Sequence, residues 1–167
     1  MTLTPDQGQR GKAMRLDFDF GGGGGFVVAR KAFSLEIPES YSFGFHIRGF
    51  APRNIFEFKL VDGSNQNVWR YRVEEFTFPE EWQSLKIRNS QVEFAWGPLG
   101  GGPPQNIAAI EIVIAAGPGG KGSVWLEALR FQDDTYRSTP LVRASSALPG
   151  HDPQHVLSPS DPSSWRS

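Results

Sequence analysis

Two carboxylates, Asp17 and Asp19, stand two residues apart in the run Met14-Arg15-Leu16-Asp17-Phe18-Asp19-Phe20. Paired acids roughly 5 to 9.5 Å apart can share the acid, base and nucleophile roles of glycoside hydrolysis. Here, however, they alternate with apolar residues, which makes them the wet face of a half-buried strand and gives them a solvating role. Glu93, Glu111 and Glu127 read the same way. Nucleophilic catalysis fares no better: His46 lies in a strand-like run, His151 and His155 lie in a Ser- and Pro-rich tail, and no Gly-x-Ser-x-Gly elbow occurs. The five glycines at 21 to 25 are followed by Phe26-Val-Val-Ala-Arg30, which is strand-like, whereas a phosphate cradle requires a helix N-terminus there. No constellation supports an enzyme.

Aromatic and arginine spacing says more. Across 68 to 73, Trp69, Tyr71 and Val73 share one strand face, and Val68, Arg70 and Arg72 share the other. Whichever face is not core presents either aromatic platforms or a cationic row. Both chemistries suit saccharides, whose apolar C–H faces lie on aromatic rings while their hydroxyls bond to charged and amide side chains. Trp96 ends a strand and enters the loop 97–104, which gives it the best claim to exposure. The candidate binding residues are therefore Trp69, Arg70, Tyr71, Arg72 and Trp96. The alternative places Trp69, Trp82, Trp96 and Trp125 together in a large core.

The elements that must carry these residues are short strands. Alternation of apolar and polar residues marks 14–20, 33–37, 41–47, 56–60, 69–73, 85–87, 92–96, 110–114 and 124–131. Turn signals separate them, at Gly21 to Gly25, Ala51-Pro-Arg-Asn54, Asp62-Gly-Ser-Asn65, Gly97 to Pro104 and Gly117-Pro-Gly-Gly120. The runs on either side of 62–67 form a hairpin with a longer loop. Many short strands without interleaved helical patterns predict an all-β fold, a jelly-roll β-sandwich. With 17 Lys+Arg against 18 Asp+Glu, the chain has no broad attraction for nucleic acid or anionic membranes. Without cysteine it has no disulfide framework and no thiolate zinc site. After Asp134 the composition turns to Ser, Pro, Asp and Arg, so the sandwich is expected over 1–135 and a linker over 136–143.

The segments Gly11-Lys-Ala-Met-Arg-Leu-Asp-Phe-Asp-Phe20, Phe56-Glu-Phe-Lys-Leu-Val-Asp62, Trp82-Gln-Ser-Leu-Lys-Ile87, Phe94-Ala-Trp-Gly-Pro98 and Gly119-Gly-Lys-Gly-Ser-Val-Trp-Leu-Glu127-Ala-Leu129 resemble the galactose-binding-like jelly-roll modules found beside bacterial glycoside hydrolases. The resemblance covers about residues 2 to 133. It implies a non-catalytic carbohydrate-binding module with a poly- or oligosaccharide partner. It also implies a structural calcium held by acids of the first and closing strands, with Glu127 at the closing position, and an additional strand preceding the segment that starts at Thr2. Residues 144–167, with Ala144-Ser-Ser, Pro149-Gly-His-Asp-Pro153 and Ser164-Trp165, resemble the opening of a discoidin (coagulation-factor C-type) domain. Together these imply a piece of a longer, extracellular or periplasmic glycan-active protein. The alternative is a ligand-free spacer packing against a neighbouring domain.

Overall fold

The computed structural model describes residues 1–135 together with 154–156 and 165–166. Its strands are β1 (Thr2–Gln7), β2 (Lys12–Asp19), β3 (Phe26–Glu36), β4 (Tyr41–Phe50), β5 (Asn54–Asp62), β6 (Val68–Phe76), β7 (Gln83–Arg88), β8 (Glu93–Trp96), β9 (Asn106–Ala115), β10 (Lys121–Asp133), β11 (Gln154–Val156) and β12 (Trp165–Arg166). All pairings are antiparallel. They build two sheets, ordered β1-β2-β10-β4-β7, with β11 also on β10, and β12-β3-β9-β5-β6-β8. Among the described residues no helix is long and apolar enough to cross a membrane. The linker 136–143 and nearly all of the discoidin-like segment 144–167 lie outside the described residues.

The predicted alternation explains how the sheets stack. Met14, Leu16 and Phe18 of β2, Phe43, Phe45 and Ile47 of β4, and Val124 and Leu126 of β10 point inward from the first sheet. Phe56, Phe58 and Leu60 of β5 and Ile110, Ile112 and Ile114 of β9 meet them from the second. Phe58 lies against both Phe43, at 5.1 Å between ring centroids, and Phe45, at 6.0 Å. Each such buried side chain contributes about 1.5–3 kcal/mol, so this layer dominates the fold's stability. Within the described chain, Asp62–Asn67 turns the β5–β6 hairpin as expected, with Val61 opposite Val68.

Two departures from the sequence reading matter for function. Thr2–Gln7, which alternation does not mark, is a strand at the edge of the first sheet, where Pro5 is tolerated because an edge strand needs fewer ladder donors. The second departure is the placement of Trp69 and Trp125. Trp69 sits between the sheets, but Trp125 pairs across to Arg15 and Arg48 on the outer side of the first sheet, and Trp96 lies on the outer side of the second.

Candidate functional site

The orientation of β6 decides between the two faces left open by its sequence. Trp69 is 2 % exposed within the inter-sheet core, and Tyr71 packs against that core half-buried. Trp69 makes an edge contact with Phe94 at 5.6 Å and 74°, and its indole N–H donates to the Gly102 carbonyl at 2.6 Å. As a stacking platform Trp69 is therefore corrected: both its ring and its polar atom are occupied inside the protein. Tyr71 shares its inward face. Arg70 and Arg72 take the opposite, outer face.

There they join a row of charges that crosses the second sheet by strand register. Arg30 pairs with Glu111, Glu111 with Lys59, Lys59 with Arg70, and Arg70 with Glu93. One register step along, Glu57 faces Arg72. Glu57 is the hub. Its Oε1 accepts from Arg72 at 2.7 Å and from Arg70 at 3.1 Å, while its Oε2 meets Lys59 Nζ at 3.0 Å. Arg72 also bonds Glu74 at 2.6 Å, and Arg70 lies 3.5 Å from Glu93. Arg30 bonds Glu111 at 2.7 Å and reaches Asn65 in the β5–β6 loop.

Burial pushes the Glu57 carboxyl up, but hydrogen bonds and charge from Lys59 and Arg72 outweigh it and hold its pKa below the usual carboxylate value. A depressed native pKa means that stability from this carboxylate is fully present above the unfolded value of about 4.3. It is lost as pH falls through the lower native value. Acid titration followed by thermal melting should therefore show stability falling below about pH 4.3, with a shallower slope in Glu57→Gln. Equal slopes in the two proteins would remove Glu57 from this account.

Trp96 completes the face. A register shift between Val68 and Trp69 places Phe94 opposite Trp69, inside, yet sets Trp96 opposite Val68, outside. This one-residue bulge reverses the side that strict alternation would give. Trp96 is 47 % exposed, with Lys59 Nζ 5.0 Å from its ring centroid. The next residue pins its backbone. Gly97 has φ 139°, and a Cβ there would stand 2.6 Å from the Gln66 carbonyl, so only glycine fits. Asn67 donates to Asp62 at 2.7 Å and accepts from the Leu99 amide at 2.9 Å, tying the hairpin loop to the loop after Trp96. Beside it a hollow of about 350 Å³ opens, lined by Asp62, Trp69, Leu99, Gly102 and Asn106.

The remaining sequence candidates have structural partners. Asp17 bonds Arg15 at 2.9 Å and accepts from Ser123 on the neighbouring β10, and Asp19 accepts from the Gly21 amide at 2.8 Å at the end of β2, so both acids serve the sheet. His46 Nδ1 meets Ser84 Oγ at 3.2 Å, but among the described residues no acid completes a triad with it. Glu127 is buried, with Oε2 accepting from the Arg10 amide at 3.3 Å and packed so tightly on Gly8 that a Cβ there would overlap it. Its Oε1 has no hydrogen-bond partner. Calcium takes about six to eight oxygen ligands. Among the described residues no group of three or more aspartates, glutamates or histidines is placed to hold a metal ion. The Glu127 carboxylate fastens the β1–β2 turn to β10.

No protein-family model and no curated protein matches the chain. Solved structures do resemble it. The family 11 carbohydrate-binding module from Clostridium thermocellum, in complex with a β-1,3-1,4-mixed-linked tetrasaccharide, aligns with TM-score 0.55 at 18% identity over 75% of this chain and 81% of that one. The family 11 module of the cellulosomal cellulase Lic26A-Cel5E of the same organism aligns with TM-score 0.53 at 18% identity over 75% and 79%. The fold is thus a two-sheet antiparallel jelly roll like that of these two modules.

Proposed function

We propose that the chain is a non-catalytic carbohydrate-binding module of a glycan-active protein working outside the cell, and that the outer face of the β12-β3-β9-β5-β6-β8 sheet holds the saccharide. The observation that carries this reading is Trp96, a half-exposed ring raised onto the same face as a row of hydrogen-bonding cations by the β8 bulge. A pyranose lies on the Trp96 ring, and its hydroxyls reach Lys59, Arg70 and Arg72. Glu57 and Glu74 hold the two arginines in fixed directions, so little conformational entropy is lost when a hydroxyl accepts from them. Support also comes from the jelly-roll likeness to a module whose structure contains a β-1,3-1,4-mixed-linked tetrasaccharide.

Affinity electrophoresis through gels containing mixed-linkage β-glucan and other neutral polysaccharides tests the proposal. Retardation on at least one neutral glycan is expected, and Trp96→Ala should weaken it by roughly tenfold to a hundredfold. Trp96 is solvent-facing, so its removal should change stability by no more than about 0.5 kcal/mol. Migration unaffected by every glycan would favour the spacer reading. The saturation of this face by ion pairs is the observation that keeps that second reading alive.

A further inference from the structure

The outer face of the opposite sheet carries a different constellation, independent of the Trp96 face. Arg48 on β4 lies opposite Trp125 on β10, with its guanidinium carbon 4.7 Å from the Trp125 ring, 5.3 Å from Trp82 and 5.8 Å from Phe50. Phe50 is 53 % exposed and meets Trp125 edge-on at 6.0 Å and 84°. Trp125 is held from the other side: its indole N–H donates to Asp6 at 2.8 Å, and Arg15 lies 5.0 Å from its ring. The Trp125 ring beneath Arg48 is therefore fixed in place before any ligand arrives.

The charges of the two arginines are treated differently. Arg15 is neutralised by Asp17 at 2.9 Å and Asp6 at 3.6 Å. Arg48 has no acid partner among the described residues. Its Nε is buried without a hydrogen bond, which leaves the two terminal nitrogens as the group's open donors. A guanidinium boxed by rings is partly desolvated, and the pairing that restores its lost hydration is a planar oxyanion received by the nitrogen fork. An exposed ring beside that fork adds a surface on which a sugar's apolar face can lie.

We infer that this face is a second binding site, selective for a saccharide bearing a carboxylate. The Arg48 fork takes the acid, and Phe50 with Trp82 takes the pyranose. A peptide carboxylate would satisfy Arg48 but leave the exposed Phe50 ring without the flat partner that a pyranose offers.

The test is calorimetric titration of the full chain with trigalacturonate, its methyl ester, a sulfated galactan oligosaccharide and a short polyglutamate. Trigalacturonate should bind saturably, weaken as salt rises, and lose roughly tenfold to a hundredfold in affinity in Arg48→Gln. Phe50→Ala, at an exposed ring that leaves folding intact, should also weaken it, and Trp96→Ala should leave it unchanged. Equal binding of the methyl ester, wild-type affinity in both Arg48→Gln and Phe50→Ala, or no saturable binding of the acid would overturn the inference. So would a preference for the sulfated oligosaccharide or for polyglutamate. Failure of Trp96-dependent binding to neutral glycans bears on the other face alone.

Discussion

Trp69→Ala should unfold at a temperature roughly 10–20 °C lower than the parent chain, a loss of about 3–5 kcal/mol. The ring is almost wholly buried and packs edge-on against Phe94, so truncation leaves a cavity rather than a solvated gap. The Gly102 carbonyl loses the indole donor 2.6 Å away at the same time. Trp69→Phe separates the two contributions. It restores most of the volume but not the donor, and should cost about 1–2 kcal/mol. Thermal melting by circular dichroism reads both variants. Because Gly102 belongs to the loop that leaves Trp96, some glycan affinity should fall as well, but only together with stability. A Trp69→Ala protein that melted like the parent while losing its ligand would make Trp69 a contact residue and reverse the orientation of β6.

Glu57→Ala should cost about 3 kcal/mol, near the lower end of what breaking a buried ion pair costs. Three cations converge on this carboxylate within 3.1 Å, and truncation leaves them facing one another across β5 and β6. The figure sits near the lower end because the cations are partly wet and two keep another acid, Arg72 through Glu74 and Arg70 through Glu93. Glu57→Gln keeps the shape and removes the charge, so it should fall between the parent and the alanine variant. Urea unfolding at neutral pH measures the series. Indistinguishable midpoints across the three proteins would mean that the cluster is surface decoration and that Arg70 and Arg72 are not pre-positioned.

The strands were legible because their alternation is regular: Phe56-Glu-Phe-Lys-Leu60 and Tyr41 to Ile47 name their inward residues directly. What alternation hides is set by pairing. Alternation puts Glu57 on the polar face of its strand and says nothing of its burial, yet β5 is flanked by β6 and β9, and the long cations of its neighbours close over it. Trp96 should share a side with Phe94 by period two, and only the bulge against β6 separates them. In Val124-Trp125-Leu126 the run is apolar throughout, so nothing local marks Trp125 as the outward member. Its outward position follows from Arg15 and Arg48, which lie far away in sequence on the strands to either side. The candidate site was therefore half visible: Arg70, Arg72 and Trp96 fall on one outer face, while Trp69 and Tyr71 line the other side of the same strand.

The most direct measurement is a titration of the ¹⁵N-labelled chain with a neutral β-glucan tetrasaccharide, followed through the indole N–H resonances. The Trp96 resonance should shift progressively and saturate while those of Trp82 and Trp125, on the opposite sheet, stay fixed. Shifts confined to Trp82 and Trp125, or no shift of Trp96 with any neutral saccharide, would contradict a glycan-binding face on the β12-β3-β9-β5-β6-β8 sheet.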